Sequence, residues 1–379
     1  MKRRLFKEEH EIFREQVRRF VEKEITPNYE QWERDGICPR EIYLKAGAQG
    51  FLCPWVPEEY GGAGADWLYS VVILEELAGY PGVMFVLHSD VCAPYIYSYG
   101  TEAQKKKYLP GACTGENILA VAMTEPFAGS DLQAIRTTAV KKGDRYILNG
   151  SKTFISNGIL NNTVIVAAKT DLKAEKAYQG MSLFLVEDGT KGYIKARKLE
   201  KIGYHSQDTA ELVFEDCEIP EENLLGEEGK GFIYLMEKLQ QERLVCAIGS
   251  VAGMFGVLDI TKKYINERTA FGRTLNKFQW IRFKMAEMYT QAEIARAFVD
   301  RLIEEHIARV DVTTETCMAK WWTTEVLKDM VDECLQFFGG YGYMEEYPIA
   351  RMYRDVRVGT IYAGTTEIMK ELISRRIPI

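Results

Sequence analysis

GKGFIYLMEKLQQERLVCAIGSVAGMFG, residues Gly229 to Gly256, is a long apolar stretch with one Glu-Arg pair in its middle. At 3.6 residues per turn, Phe232, Leu235, Met236 and Leu239 share a helical face, and Glu242 and Cys246 fall on it as well. A carboxylate on a core-facing stripe is costly, because burying an unpaired charge is strongly disfavoured. Glu242 must therefore be paired, protonated or opened onto a pocket where it works. An ordinary solvated or Arg-paired glutamate fits the same pattern, so the surrounding chain has to decide between them.

A chain of 379 residues is too long for one hydrophobic core, which predicts two or three domains. The net charge of -7 is spread over both signs without long blocks, which argues against nucleic acid or an anionic membrane as the main partner. The eight cysteines form no CxxC pair and no Cys/His cluster at zinc spacing, so reduced thiols and no metal site are expected. The opening MKRRLFKEEHEIFREQ turns acidic at once and lacks the apolar run of a secretion signal. Leu244 to Leu258 is shorter than the ~20 residues of a membrane span. The expectation is a soluble cytoplasmic protein with no membrane span.

Outward from the central helix, texture changes twice. Residues 8 to 24 have helical periodicity, as do Glu41 to Ala48, Leu68 to Ala78 and Glu102 to Leu109. Then Thr138 to Leu148, Val164 to Lys169, Ser182 to Val186, Tyr193 to Leu199 and Glu211 to Phe214 are short β-branched and aromatic runs between turn residues. From Gly231 the helical period returns, through Leu275 to Ile307 and Glu315 to Phe338. The reading is an α+β chain: a helical domain over 1–118, a β domain over 119–228 and a helical bundle over 229–379. The two helical parts are expected to share one packed unit around the β domain.

Two loops carry further signals. Met123-Thr124-Glu125-Pro126-Phe127-Ala128-Gly129-Ser130-Asp131 offers backbone amides and the Thr124 and Ser130 hydroxyls to a planar polar ring or a phosphate. Gly150-Ser151-Lys152-Thr153-Phe154-Ile155-Ser156-Asn157-Gly158 is a strand whose alternation puts Phe154 and Ser156 on one face, an apolar plane beside a hydroxyl.

These two segments resemble the MTEPxAGSD and KxFISN signatures of the acyl-CoA dehydrogenase family. The likeness continues through Glu267-Arg268-Thr269-Ala270-Phe271-Gly272, Gln336-Phe337-Phe338-Gly339-Gly340 and Tyr347-Pro348-Ile349-Ala350-Arg351, and covers nearly the whole chain. It implies a helical N-terminal domain, a β-barrel-like middle domain and a C-terminal four-helix bundle. It also implies FAD held between domains and between subunits of a homotetramer. In that resemblance the backbone of Val121 and Met123, with Thr124, Gly129 and Ser130, meets the flavin, Phe154 lies against its ring and Ser156 reaches its N5 edge. Arg268, Phe271, Gln279, Gln336 and Gly340 match residues for the pyrophosphate and adenine end, and Thr365 and Glu367 complete the cofactor set. Ser130, Gln240, Arg243, Tyr362 and Gly364 match positions along the substrate.

One departure is informative. The best-known members carry a catalytic Glu immediately before Gly-Thr near the C-terminus, where this chain has Ala363. The branch resembling long-chain and isovaleryl-CoA dehydrogenases has Gly or Ala there and places the base on the helix opening the C-terminal domain, as in Leu239-Gln240-Gln241-Glu242-Arg243-Leu244. The resemblance thus implies that Glu242 abstracts the α-proton of an acyl-CoA while a β-hydride passes to flavin N5. The enolate-like oxygen then meets the FAD ribityl 2′-hydroxyl and the backbone N–H of Ala363. Arg243 would hold the CoA arm, or else pair Glu242. Electron-transferring flavoprotein is the implied electron acceptor. An oxidase or monooxygenase on the same scaffold is the rival that keeps the flavin and changes its reoxidation.

Asp90, in Val86-Leu87-His88-Ser89-Asp90-Val91-Cys92-Ala93-Pro94, stands where relatives usually carry an apolar residue walling the acyl pocket. It either bonds His88, Ser89 or a nearby amide, or acts as a second base facing a cyclic or unsaturated acyl-CoA.

Overall fold

The computed structural model describes residues 3–378. The N-terminal part is helical: α1 (Glu8–Phe20), α2 (Tyr29–Asp35), α3 (Glu41–Ala48), α4 (Leu68–Glu76), α5 (Ala93–Tyr99) and α6 (Glu102–Thr114). Thr101 starts α6 with a reciprocal cap, its hydroxyl accepting from the Gln104 amide while the Gln104 side chain takes the Thr101 N–H. A π-helical turn over Leu87–Cys92 leads directly into α5. Such turns add a residue to the helical register and are frequent at functional sites.

The middle part is one sheet: β1 (Leu119–Ala122), β2 (Thr138–Lys142), β3 (Arg145–Ser156), β4 (Thr163–Lys169), β5 (Met181–Glu187), β6 (Tyr193–Lys198), β7 (Thr209–Pro220) and β8 (Leu224–Leu225). Its order is β6-β7-β3-β2-β4-β5-β8, with β1 parallel to β4. The run from Thr138 to Leu148 is a hairpin whose turn falls at Lys142-Gly143-Asp144, with Gly143 at φ +66°. The run expected to stop at Phe214 continues to Pro220 because its partner β3 is equally long.

The C-terminal part comprises α7 (Gly231–Glu267), the small ladder of β9 (Thr269–Ala270) and β10 (Arg273–Thr274), then α8 (Gln279–Ile307), α9 (Thr313–Phe338), α10 (Pro348–Asp355) and α11 (Thr366–Ser374). By length and composition α7 as a whole is apolar enough to cross a membrane, which the Leu244 to Leu258 stretch alone is not. Yet 61% of its most apolar window is buried inside the chain's own core. Leu244, Ile248 and Met254 of α7 pack with Met288, Val299 and Val331 of α8 and α9, and with Leu68, Val71 and Leu74 of α4. The two helical parts therefore share a core, as expected.

A second core decides where the site lies. Tyr95 and Ile96 of α5, Leu119 of β1, Ile165 of β4, Leu183 of β5 and Leu235 of α7 form one cluster. Each such aliphatic side chain contributes ~1.5–3 kcal/mol by leaving water, so three separate stretches of chain are held together at the first turns of α7. Gly231 allows the close approach there, since a Cβ on it would stand 2.8 Å from the Ser182 backbone. The expected apolar face of α7 is only partly a core face. Leu235, Leu239 and Glu242 are buried, Phe232 and Cys246 are half-buried, and Met236 is exposed because it borders an open cleft.

Candidate active site

Glu242 sits in the middle of α7 and is 6% exposed. The Tyr95 hydroxyl, brought across by α5, donates to its Oε1 at 2.8 Å. Burial pushes the Glu242 carboxyl up to about 7, while the Tyr95 bond and the Arg243 charge pull the other way. Arg243 does not pair it. Its Nη1 points to the Cys317 thiol at 3.4 Å, and its Nε is buried without a partner among the described residues. Glu242 is therefore a buried carboxylate held by a neutral phenol and poised to titrate near neutrality.

Asp90 is a second buried carboxylate, on the π-helical turn, and neither His88 nor Ser89 satisfies it. His88 is engaged with the Ala112 carbonyl and the Leu119 amide, and Ser89 with Cys53. Asp90 Oδ1 instead accepts from the Trp67 indole at 3.0 Å, and its backbone carbonyl accepts from Gln241 on α7 at 2.7 Å. Burial lifts its carboxyl to about 7, against the pull of Ser70, Trp67 and Trp55 nearby. No cation pairs it among the described residues.

Ala363 lies in a left-handed turn, with φ +51° at Ala363 and +98° at Gly364. Lys320, a fully buried lysine of α9, donates from Nζ to the Gly364 carbonyl at 2.7 Å and so ties this turn to the bundle. Burial lowers its ammonium pKa. Tyr362 is half-buried, and Thr365 caps α11 through a bond from the Ile368 amide at 3.3 Å. Glu367 is exposed in the first turn of that helix.

A cleft of about 1170 Å³ opens above the start of α7, lined by Trp55, Trp67, Tyr97, Phe232, Met236 and Gln241 among others. It reaches Trp67 and Gln241, which hydrogen-bond the Asp90 side chain and backbone. Gln240 borders it but is committed to the following loop, its Oε1 accepting from the Val312 amide and the Thr313 hydroxyl at 3.2 and 3.0 Å.

The 123–131 loop is pinned to β3 by a buried ion pair. Lys152 Nζ contacts Glu125 Oε1 at 2.8 Å and the Met123 carbonyl at 3.0 Å, and the Glu125 carboxylate also accepts the Arg136 and Thr137 amides. Burial holds the Lys152 ammonium down to about 8. Burial alone would raise Glu125, but Lys152 and the amides outweigh it and its carboxyl falls below the usual value. Beyond the pair, Thr153 donates its amide to the Thr124 carbonyl at 3.0 Å. Strand alternation does not continue through Phe154. Its φ is +60°, the register against β7 shifts between Lys152 and Ile155, and Lys152 and Thr153 are both buried. The Phe154 ring, 68% exposed, is turned outward by this bulge, with Ser156 half-buried beyond it. Gly129 and Ser130 are exposed, and a Cβ on Gly129 would meet nothing. Val121 is half-buried in β1, in register with Ile165.

Arg268 and Gly340 meet elsewhere, in a separate cleft of about 490 Å³ at the far end of α7, where the Arg268 guanidinium lies 5.3 Å from the Tyr341 ring centre. Phe271, Gln279 and Gln336 are exposed and do not line it.

Models of the acyl-CoA dehydrogenase N-terminal, middle and C-terminal domains match residues 7–116, 120–217 and 229–377 of this chain. The chain belongs to the acyl-CoA dehydrogenase family. Within that family it is 49% identical to the mitochondrial long-chain specific acyl-CoA dehydrogenase of Sus scrofa, over 99% of this chain and 88% of the relative. Among solved structures, an acyl-CoA dehydrogenase from Geobacillus kaustophilus matches with TM-score 0.99 at 55% identity, over 100% of both chains. An acyl-CoA dehydrogenase from Bacillus anthracis, complexed with FAD, matches with TM-score 0.92 at 33% identity, over 98% of this chain and 68% of that one.

Sequence reasoning about this acyl-CoA dehydrogenase overlooked Tyr95, Trp67 and Lys320. Lys320 had a readable signal, a lone cation on the buried α9 stripe of Cys317, Thr324, Leu327 and Val331. Tyr95 and Trp67 had none, because the carboxylates they hold lie 147 and 23 residues away along the chain.

Proposed function

We propose that this acyl-CoA dehydrogenase oxidises an acyl-CoA between Cα and Cβ, with Glu242 as the base that removes the α-proton. The carrying observation is the buried carboxylate of Glu242, bonded to Tyr95, together with the absence of any acid at Ala363. A base of this kind needs an affinity for protons near the working pH, and desolvation supplies it.

The residues present fit FAD. A neutral set of hydroxyls and amides from Thr124, Gly129, Ser130 and Ser156 suits the polar edge of a flavin, and the outward Phe154 ring offers it an apolar face. Arg268 suits the pyrophosphate, because a guanidinium presents a planar fork of donors. Bound FAD supplies the acceptor for the Cβ hydride. In this reading Glu242 holds the abstracted proton, and the Ala363 amide donates to the thioester oxygen as negative charge develops there. Lys320 anchors that turn through its bond to the Gly364 carbonyl. Tyr362 and Arg243 complete the substrate side in this reading, and electron-transferring flavoprotein is the proposed electron acceptor. Such a soluble enzyme would act in the cytoplasm as a homotetramer.

Glu242→Gln nearly conserves volume, so FAD should remain bound while the anaerobic rate of flavin bleaching by acyl-CoAs falls by at least ~10². Bleaching at the wild-type rate would remove Glu242 from its role.

A second reading rests on Asp90, whose neutral donors leave it able to take a proton near neutrality. Here it serves as a second base toward an alicyclic acyl-CoA. Cyclohexanecarboxyl- or cyclohexenecarboxyl-CoA should then bleach the flavin at least as fast as straight-chain thioesters. A protein responding only to linear acyl-CoAs rules this reading out.

A further inference from the structure

Tyr95 is fully buried and is the only hydrogen-bond donor to the Glu242 carboxylate among the described residues. Its bond goes to Oε1, and Oε2 accepts none from those residues. We propose that Tyr95 is a positioning residue for proton abstraction, fixing Oε1 so that Oε2 receives the α-proton, and keeping the buried carboxylate ionised in place of a cation. The inference rests on Glu242 being the base.

Three observations support it. First, the groups that face Glu242 leave this task to Tyr95. From α7 these are Arg243, which is turned to Cys317, and Cys246, and from the turn before α5 comes Cys92. Burial and the Glu242 charge drive the Tyr95 phenol well above its usual value, and burial does the same to the Cys92 thiol, so both stay neutral over the working pH range. Second, a phenol is suited to the task. A bond to the charged form favours ionisation, yet it brings no full charge that would hold the carboxylate anionic and weaken its pull on a carbon acid. Third, Tyr95 cannot swing away. It is packed in the core cluster that joins α5, the sheet and α7, and the π-helical turn just before it sets its direction.

Tyr95→Phe keeps the ring and removes the donor. In the FAD-loaded protein without substrate, the Glu242 carboxyl is followed by infrared difference spectroscopy across pH, its band identified by its loss in Glu242→Gln. The titration midpoint is expected to rise by about one pH unit, ~10-fold in the ionised fraction below it. Anaerobic flavin reduction by octanoyl-CoA and palmitoyl-CoA is expected to fall by a similar factor at pH 6 and to recover as pH rises past the new midpoint. Replacing Tyr95 by 3-fluorotyrosine, a stronger donor of nearly the same shape, should move the midpoint down. A midpoint unchanged in both variants overturns the proposal, as does a rate lowered equally at every pH. If Glu242→Gln still bleaches normally, the base assignment fails, while the infrared midpoint still reports whether Tyr95 governs that carboxyl.

Discussion

Two carboxylates, Glu242 and Asp90, stand in the protein with their pKa values lifted to about 7 by burial. Each therefore binds a proton more tightly folded than unfolded, where ordinary values of about 4 apply. The sign follows from linkage: the stability they allow is complete below about pH 4 and is lost as pH rises through about 7. Asp90→Asn removes one of these liabilities and keeps an acceptor for the Trp67 indole. It should raise the melting temperature at pH 8, the gain in unfolding free energy being on the order of a few kcal/mol at most, and the gain should shrink toward pH 5. Differential scanning fluorimetry across pH checks this, and a constant offset would mean that Asp90 does not titrate in the fold.

Among elements, β3 and the 123–131 loop act as one unit because Lys152 and Glu125 neutralise each other out of water. Removing one member of a buried pair strands the other, at a cost of ~3–5 kcal/mol, whereas replacing both by apolar residues is often neutral. Lys152→Met should therefore lower thermal stability and loosen FAD, measured as flavin retained after gel filtration. Lys152→Met with Glu125→Leu should recover stability. The outward Phe154 depends on the same anchor, since the positive φ and register shift that turn it out follow two residues after Lys152. The length of α7 matters in a similar way, as one helix carries Leu235 at the three-way junction and Glu242, the proposed base, and ends at Arg268 in the distant cleft.

At the scale of the whole molecule, that distant cleft is flanked by exposed aromatic side chains. Tyr343, 84% exposed, shares the Gly339–Tyr343 turn with Tyr341 of the cleft, and Trp280, more than half exposed, lies edge-on to Phe337 of the cleft. Exposed aromatic groups gathered in one region mark an association surface. We propose that subunits pack here and that Arg268 serves FAD across the contact. Arg268→Ala should then weaken cofactor retention and the tetramer together, since a ligand bound at an interface stabilises the assembly. Sedimentation with flavin absorbance reads both at once, and an intact tetramer with full FAD would limit Arg268 to its contact with Tyr341.

The sequence by itself determined the α, β, α texture and the family, and it singled out the loops proposed for the flavin and the Glu242 proposed as base in a chain with Ala at 363. These are local or periodic properties, written into spacing, residue type and ordered motifs. It also showed that Asp90 was out of place, but not with what it bonds. Only the tertiary structure decided that Tyr95 holds Glu242, that Trp67 and not His88 meets Asp90, that Arg243 leaves Glu242 unpaired, and that Lys320 braces the Ala363 turn. The physical reason is common to all four. Burial and hydrogen-bond partnership depend on which distant segments the cores bring together, and a one-residue change of helical register at Leu87–Cys92 redirects every side chain after it.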